Sequence, residues 1–388
     1  MDLVKKNKDL PQKEFPLMEV SKGNIVLFHP YIPKSAFQAI NETLSTRWIG
    51  QGPRVELFEE MFQKRFTNGN PVIAVGSGTD ALHLSYILAD IKKDDEVVVP
   101  VFTCTATNIP LLYMDAKVKF ADVQPDTLNI SVEHVRELVN DKTKAIVCVH
   151  YGGLPCDMKE LDEISKKYGI PIIEDAAHAL GATYNGVPIG AVSDFTMFSF
   201  QAIKHITTGD GGLLTFKNKS LFEKSKRLRW FGINRAAKQG GNWENDIYEV
   251  GYKYQMTDIA ACLGIASLNE FDHILGYRQM LFSEYMKGLA NIPGIKVIGT
   301  DLKDRTHAAW LCTVLVENRV DLAKKLHDHN IESSQVHYRN DRYSIFGGRL
   351  NDLPNMDLVE DKYLVLPLHM KLKIEDIQRV CEVIKSGW

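Results

Sequence analysis

The chain has 388 residues, 45% of them hydrophobic and 24% charged, with a formal net charge of −3. It is long enough for two domains, or for one large domain with a lobe, and it presents no broad basic field to nucleic acid or an anionic membrane. Its six cysteines (Cys104, Cys148, Cys156, Cys262, Cys312 and Cys381) form no CxxC pair. That scatter favours reduced thiols and a reducing cytoplasm over a disulfide frame or a structural zinc.

Residues 1–22 are rich in Lys, Glu and Pro and hold no apolar stretch of signal-peptide or membrane-span length, so 1–23 reads as a flexible lead-in. From Asn24 to Phe216, short β-branched runs at 96–99, 145–149 and 171–173 alternate with helix-like stretches such as 157–168. This alternation implies an α/β fold with a mostly parallel central sheet between helices, and a ligand crevice at the carboxyl ends of the strands. The apolar spacing of 257–289, after an N-cap at Thr257, predicts one or two long connecting helices. Beyond them, a strand at 308–316, a helix at 321–329 and a closing helix at 373–385 build a smaller α/β lobe, with 340–355 as a loop at the site rim. The expected organisation is a large domain over 24–256, then connecting helices and a small C-terminal domain over 257–388.

The first chemical signal is the turn after Pro71–Val75, which reads Gly76-Ser77-Gly78-Thr79-Asp80-Ala81-Leu82. A strand entering a helix through small residues aims free N–H groups and a helix dipole at an anion such as a phosphate. Gly76, Gly78 and Ala81 also match a dinucleotide fingerprint, which would make the chain a nicotinamide-dependent oxidoreductase. That fingerprint wants a carboxylate at the end of the next strand, whereas Asp94, Asp95 and Glu96 stand at its start and it ends Val99-Pro100-Val101-Phe102.

The second signal pairs Asp175, at the end of Ile172-Ile173-Glu174-Asp175, with Lys204 in the run Ser199 to Gly212. An internal lysine amine can condense with the aldehyde of pyridoxal phosphate as a Schiff base, while a strand-end carboxylate keeps the ring nitrogen protonated. Alone, Asp175 reads as a cap and Lys204 as a solvated charge. With Thr79 and Ser199, separate segments supply the phosphate, the ring nitrogen and the aldehyde carbon. His178 either orients Asp175, meets the ring's hydroxyl side or merely packs, and His205 makes a structural hydrogen bond. His307, His337 and Tyr338 in the second lobe are candidates to face substrate or to satisfy buried polar groups. No metal site is expected.

These motifs, with Trp48-Ile49-Gly50-Gln51-Gly52-Pro53, Glu174-Asp175-Ala176-Ala177-His178, Gly251-Tyr252-Lys253-Tyr254-Gln255-Met256-Thr257-Asp258 and Leu366-Pro367-Leu368, resemble the DegT/DnrJ/EryC1/StrS family of pyridoxal phosphate-dependent nucleotide-sugar aminotransferases. The resemblance runs from about Asn24 to the C-terminus. It implies a type I aminotransferase fold, a homodimer with shared active sites, glutamate as amino donor and a nucleotide-carried keto sugar as acceptor. By position, it makes Lys204 the Schiff-base lysine and Asp175 the pyridinium partner. Gly78, Thr79 and Ser199 become phosphate ligands, with His178 beside the cofactor.

The chain departs from the family where Cys104 replaces a stacking aromatic ring, a role Phe102 could take over. It departs again where Lys253 replaces an asparagine that reaches the partner's cofactor phosphate, a contact a lysine can make as an ion pair. The presence of Lys204 argues against the relatives that carry histidine there and dehydrate instead. The expected activity is amino transfer to a nucleotide-linked 3-keto or 4-keto deoxysugar for amino-sugar and surface-glycan synthesis, including lipopolysaccharide, with no nucleic-acid or membrane partner. Its rivals are transamination of a free keto sugar acid, nicotinamide-dependent oxidation, and a non-catalytic cofactor- or sugar-binding regulator.

Overall fold

The computed structural model describes residues 20–388 apart from Trp243, Asn245 and Asp301, so most of the expected 1–23 lead-in lies outside the described residues. A seven-stranded sheet organises the larger lobe, in the order Val72–Val75, Gly212–Phe216, Phe195–Ser199, Ile172–Asp175, Thr143–Val149, Glu96–Pro100, Lys117–Ala121. The last five are mutually parallel, and within this sheet Gly212–Phe216 alone runs against the rest. The carboxyl ends of Val72–Val75, Ile172–Asp175 and Phe195–Ser199 therefore share one edge, which the start of Gly212–Phe216 joins. Gly78, Thr79, Asp175, His178, Ser199 and Lys204 come together there.

Strands covered on both faces read as continuous apolar runs, and alternate side chains go to opposite cores. Ile73, Val75, Val97, Val99, Val147 and Ile173 belong to one apolar cluster, while Val72, Ala74, Val98, Ile146 and Ile172 belong to another. Asp175 shares the parity of Ile173 and Glu174 that of Ile172, so the strand sends its two carboxylates to opposite faces.

Helix boundaries follow local chemistry. Ser77 Oγ accepts the Asp80 N–H at 3.1 Å to cap Gly78–Leu88, and Gly169, at φ +65°, ends Met158–Tyr168. The predicted connector is two helices broken at Glu270. Asp258–Asn269 packs on Lys34–Leu44 and Pro53–Phe66 of the larger lobe, whereas Phe271–Leu289 runs to the smaller one.

The smaller lobe is a three-stranded antiparallel sheet of Ile295–Val297, Cys312–Val316 and Tyr363–Leu366, covered by Phe271–Leu289 and Ile374–Lys385 around a third core. Residues from the start of the described chain join it: Ile25 exchanges backbone hydrogen bonds with Asn330 and Glu332. The predicted strand over 308–316 begins only at Cys312, because 308–311 is a strap that leaves the sheet through Ala309, at φ +53°. Residues 340–355 are loop with two single 3₁₀ turns, leading into the helix Pro354–Val359. Among the described residues, no helix is long and apolar enough to cross a membrane.

Candidate active site

A cleft of about 760 Å³ opens at the shared strand edge, lined by Gly78, Thr79, Cys104, Asp175, His178, Ser199, Lys204 and His337 among others. At one end of the cleft, the first-turn N–H groups of Gly78 and Thr79 precede the first hydrogen bond of their helix, and a helix N-terminus of this kind suits an anion. Close approach dictates the glycines. A Cβ on Gly78 would meet Ser199 Cβ at 3.1 Å and Met197 Sδ at 3.2 Å, and one on Gly212 would stand 2.3 Å from the Ser77 carbonyl oxygen. Burial raises the Asp80 carboxyl to about 6, against the hydrogen bonds from Ser77.

At the other end, Asp175 is 4% exposed. Its Oδ2 accepts the Thr107 hydroxyl at 2.7 Å and its Oδ1 the Ala177 N–H at 3.1 Å. Thr103, 2.8 Å from Thr107 Oγ1, donates in turn, since the Thr107 proton is committed to the carboxylate. Burial dominates and raises the Asp175 pKa, with Thr107, Ala177 and the Lys204 charge opposing. A buried carboxylate whose burial is incompletely offset is suited to a cationic ring nitrogen.

Lys204 lies at the cleft floor with Nζ 3.7 Å from the centroid of the Trp310 ring. Burial lowers its pKa to about 8 against the attraction of Asp175 and Cys104. Trp310 stacks on His178 at 3.8 Å and 14°. Both His178 nitrogens are committed within the protein: Nδ1 accepts the Gly152 N–H at 3.3 Å, leaving Nε2–H to face His337 Nε2 at 3.4 Å. Burial, then the Lys204 charge, keeps both imidazoles neutral, lowering His178 well below its usual value and His337 to about 3.

The remaining candidates lie elsewhere. Lys253 is outside this cleft, its Nζ 3.6 Å from the Trp230 ring centroid. His307 stacks on Phe282 at 4.6 Å and borders a separate small cavity. Tyr338 pairs with Thr103 in a short ladder and lies under Arg342. Cys104 lines the cleft as the cap residue of Thr105–Leu112, whereas Phe102 is buried between Tyr151 and Tyr363 and cannot supply the stacking ring.

Sequence reasoning missed Thr107 and Trp310. Thr107 had a signal, four residues after Thr103 at a helix start; Trp310 had none, because its approach depends on the strap. The reading of scattered cysteines also missed a buried group. Donor atoms of Cys148, His150 and Cys156 lie within 4.8 Å of one another behind the sheet. There His150 Nε2 donates to Glu174 at 2.6 Å, its Nδ1 accepts the Cys156 N–H at 3.1 Å, and Cys156 Sγ donates to the Val149 carbonyl at 3.1 Å.

An amine and a carboxylate at one end of a cleft, with a glycine-rich anion turn at the other, define an aminotransferase that works with pyridoxal phosphate. The chain belongs to the DegT/DnrJ/EryC1/StrS aminotransferase family, whose model matches residues 30–385. It is 32% identical to the spore coat polysaccharide biosynthesis protein SpsC of Bacillus subtilis, over 92% of this chain and 95% of the relative. It is 30% identical to the GDP-perosamine synthase of Escherichia coli O157:H7, over 93% and 98%. The solved sugar aminotransferase CalS13 of Micromonospora echinospora superposes with a TM-score of 0.88 at 32% identity, covering 93% of this chain and 99% of that one. Family and fold together set aside the nicotinamide reading. Pyridoxal phosphate is the cofactor of the family, and the residues present fit it: a Cβ on Gly78 would crowd Ser199 and Met197, Asp175 is buried, and the Lys204 amine stands in the same cleft.

Proposed function

We propose that the protein moves an amino group from glutamate to the carbonyl carbon of a nucleotide-linked keto sugar, most favourably a 3-keto or 4-keto deoxysugar, as a cytoplasmic step toward amino sugars for lipopolysaccharide or another surface glycan. The observation that carries this reading is the meeting of Lys204, Asp175 and the Gly78–Thr79 turn in one cleft. The names of the similar proteins, a polysaccharide biosynthesis protein, a GDP-sugar synthase and a sugar aminotransferase, support a sugar acceptor.

In this reading Gly78, Thr79 and Ser199 hold the phosphate, and Asp175 keeps its negative charge opposite the ring nitrogen, with Thr107 fixing its orientation. When bound, pyridoxal phosphate supplies an aldehyde to take the amino group and a ring that accepts electrons. Lys204, with its pKa near 8, takes a proton from the donor α-carbon as the free amine and returns one as the ammonium. His178 and Trp310 wall the floor, limiting water at the reacting amine. Lys253, outside the cleft of its own chain, would reach the phosphate held by a second copy in a homodimer with shared sites.

The test is single-turnover amine transfer from the amine-loaded enzyme to matched free and nucleotide-linked keto sugars. Remote contacts to the nucleotide position the carbonyl, so the linked sugar should react much faster. Equal rates, or a preference for a free keto sugar acid, would overturn the nucleotide part and leave the aminotransferase chemistry standing.

A further inference from the structure

The Lys204 amine has a partner in the protein itself, the face of Trp310. The indole is 1% exposed and fixed from several directions. Its Nε1–H donates to the carbonyl of Ile203, the residue before Lys204, at 3.0 Å, and its backbone N–H donates to Gly152 at 3.0 Å. Its ring lies on His178. Its own carbonyl accepts from Arg278 Nη2 at 2.7 Å.

Arg278 is buried and bonds carbonyls: besides Trp310, Nε reaches Ala309 at 3.0 Å and Nη2 reaches Leu368 at 2.9 Å. Among the described residues, no carboxylate forms an ion pair with it. A guanidinium satisfied by neutral oxygens keeps its charge unneutralised. The residue it grips first, Ala309, has positive φ, a backbone conformation that needs holding.

We propose that Trp310 is the seat on which the Lys204 amine rests between its proton transfers, and that Arg278 is the positioning residue that fixes the seat. The proposal rests on reading Lys204 as the reacting amine. A ring face attracts an ammonium, whereas burial and the Arg278 charge favour the free amine, so the two states are close in energy on one site. The other charged or titratable groups facing Lys204 are Asp175 and Cys104, which favour the ammonium, and His178, His205 and His337, which burial keeps neutral. A lysine held this way returns to one place after each swing instead of sampling the cleft.

Tryptophan emission reads the charge on the seat directly. In full-length protein, with and without pyridoxamine phosphate, the emission component lost in Trp310→Phe should titrate with a midpoint near pH 8. That inflection should vanish in Lys204→Met and move upward in Arg278→Gln, which removes the like charge. Arg278→Lys keeps the charge and loses the planar fork, so its midpoint should stay while kcat falls about tenfold at unchanged KM. Persistence of the inflection in Lys204→Met would overturn the seat, and full activity of Arg278→Lys would overturn the positioning role. Should Lys204→Met retain amine transfer, the reading of Lys204 as the reacting group would fail and the seat's part in proton transfer with it, while the emission titration would still report the amine–indole contact.

Discussion

Glu174 and Asp175 are neighbours in the chain, both buried, and they serve opposite ends. Glu174 faces the rear core, where burial would raise its pKa, but hydrogen bonds from His150, Ser193 and Thr196 hold it below the usual carboxylate range. Asp175 faces the cleft, where Thr107, Ala177 and Lys204 offset burial only in part and its pKa stays raised. The rear carboxylate is closed into a network that locks the strand end: His150 also donates its backbone N–H to the Asp175 carbonyl at 3.2 Å. The front one keeps capacity for a cation. A strand's alternation thus separates a stabilising carboxylate from a chemical one by a single residue.

The largest test of this contrast is Asp175→Asn. Losing the charge opposite the ring nitrogen should slow single-turnover amine transfer by about 10³-fold, roughly 4 kcal/mol in barrier, while the fold is kept. An unchanged rate would erase the distinction between the two faces. Glu174→Leu should do the reverse, lowering denaturant stability by about 3–5 kcal/mol because a buried histidine loses its partner, with the rate per folded molecule nearly intact. A smaller effect is expected from Thr107→Val, which removes one hydrogen bond from a charged acceptor and should cost about tenfold in transfer rate. Equal activity would leave Thr107 as packing.

The smallest effect is a difference in slope with pH, measured by denaturation of the cofactor-free chain. The folded pKa of Glu174 is lowered, so its stabilisation is present above the ordinary carboxylate value and is lost as pH falls through the folded value. The folded pKa of Asp175 is raised, so its penalty is present at neutral pH and is relieved as pH falls through that value. Glu174→Gln should therefore flatten the loss of stability in acid, and Asp175→Asn should raise stability at neutral pH. The same slope in both variants would show that the two carboxylates are not differently solvated.

Much of this arrangement was legible in the chain. Buried parallel strands leave runs such as Ile172–Asp175, and the small residues after Val75 announce a turn that approaches an anion. The rest depended on distances between segments. The sequence of 308–311, Ala-Ala-Trp-Leu, continues the apolar pattern of the following strand, and nothing in it signals that Ala309 turns left-handed or that Trp310 lands on Lys204. His307 and His337 look alike as second-lobe histidines, yet one stacks on Phe282 and the other lines the cleft. Phe102 sits two residues from Cys104, but the strand has ended by then, so alternation no longer relates their directions.

The strap has a mechanical consequence. Ala308 donates its N–H to Gly153, and Trp310 and Leu311 donate theirs to Gly152, so backbone of the smaller lobe is stitched to backbone of the larger one beside the reacting amine. A hinge motion at this seam would have to break main-chain bonds in a dry interior, which opposes it. The seam therefore resists any change in the depth of the floor, which leaves side chains and loops at the mouth as the easier parts to move when bulky molecules are admitted. Slow amide exchange at Gly153-bound Ala308 and at Trp310 and Leu311, comparable with that of the central strands, would be the mark of such a welded joint.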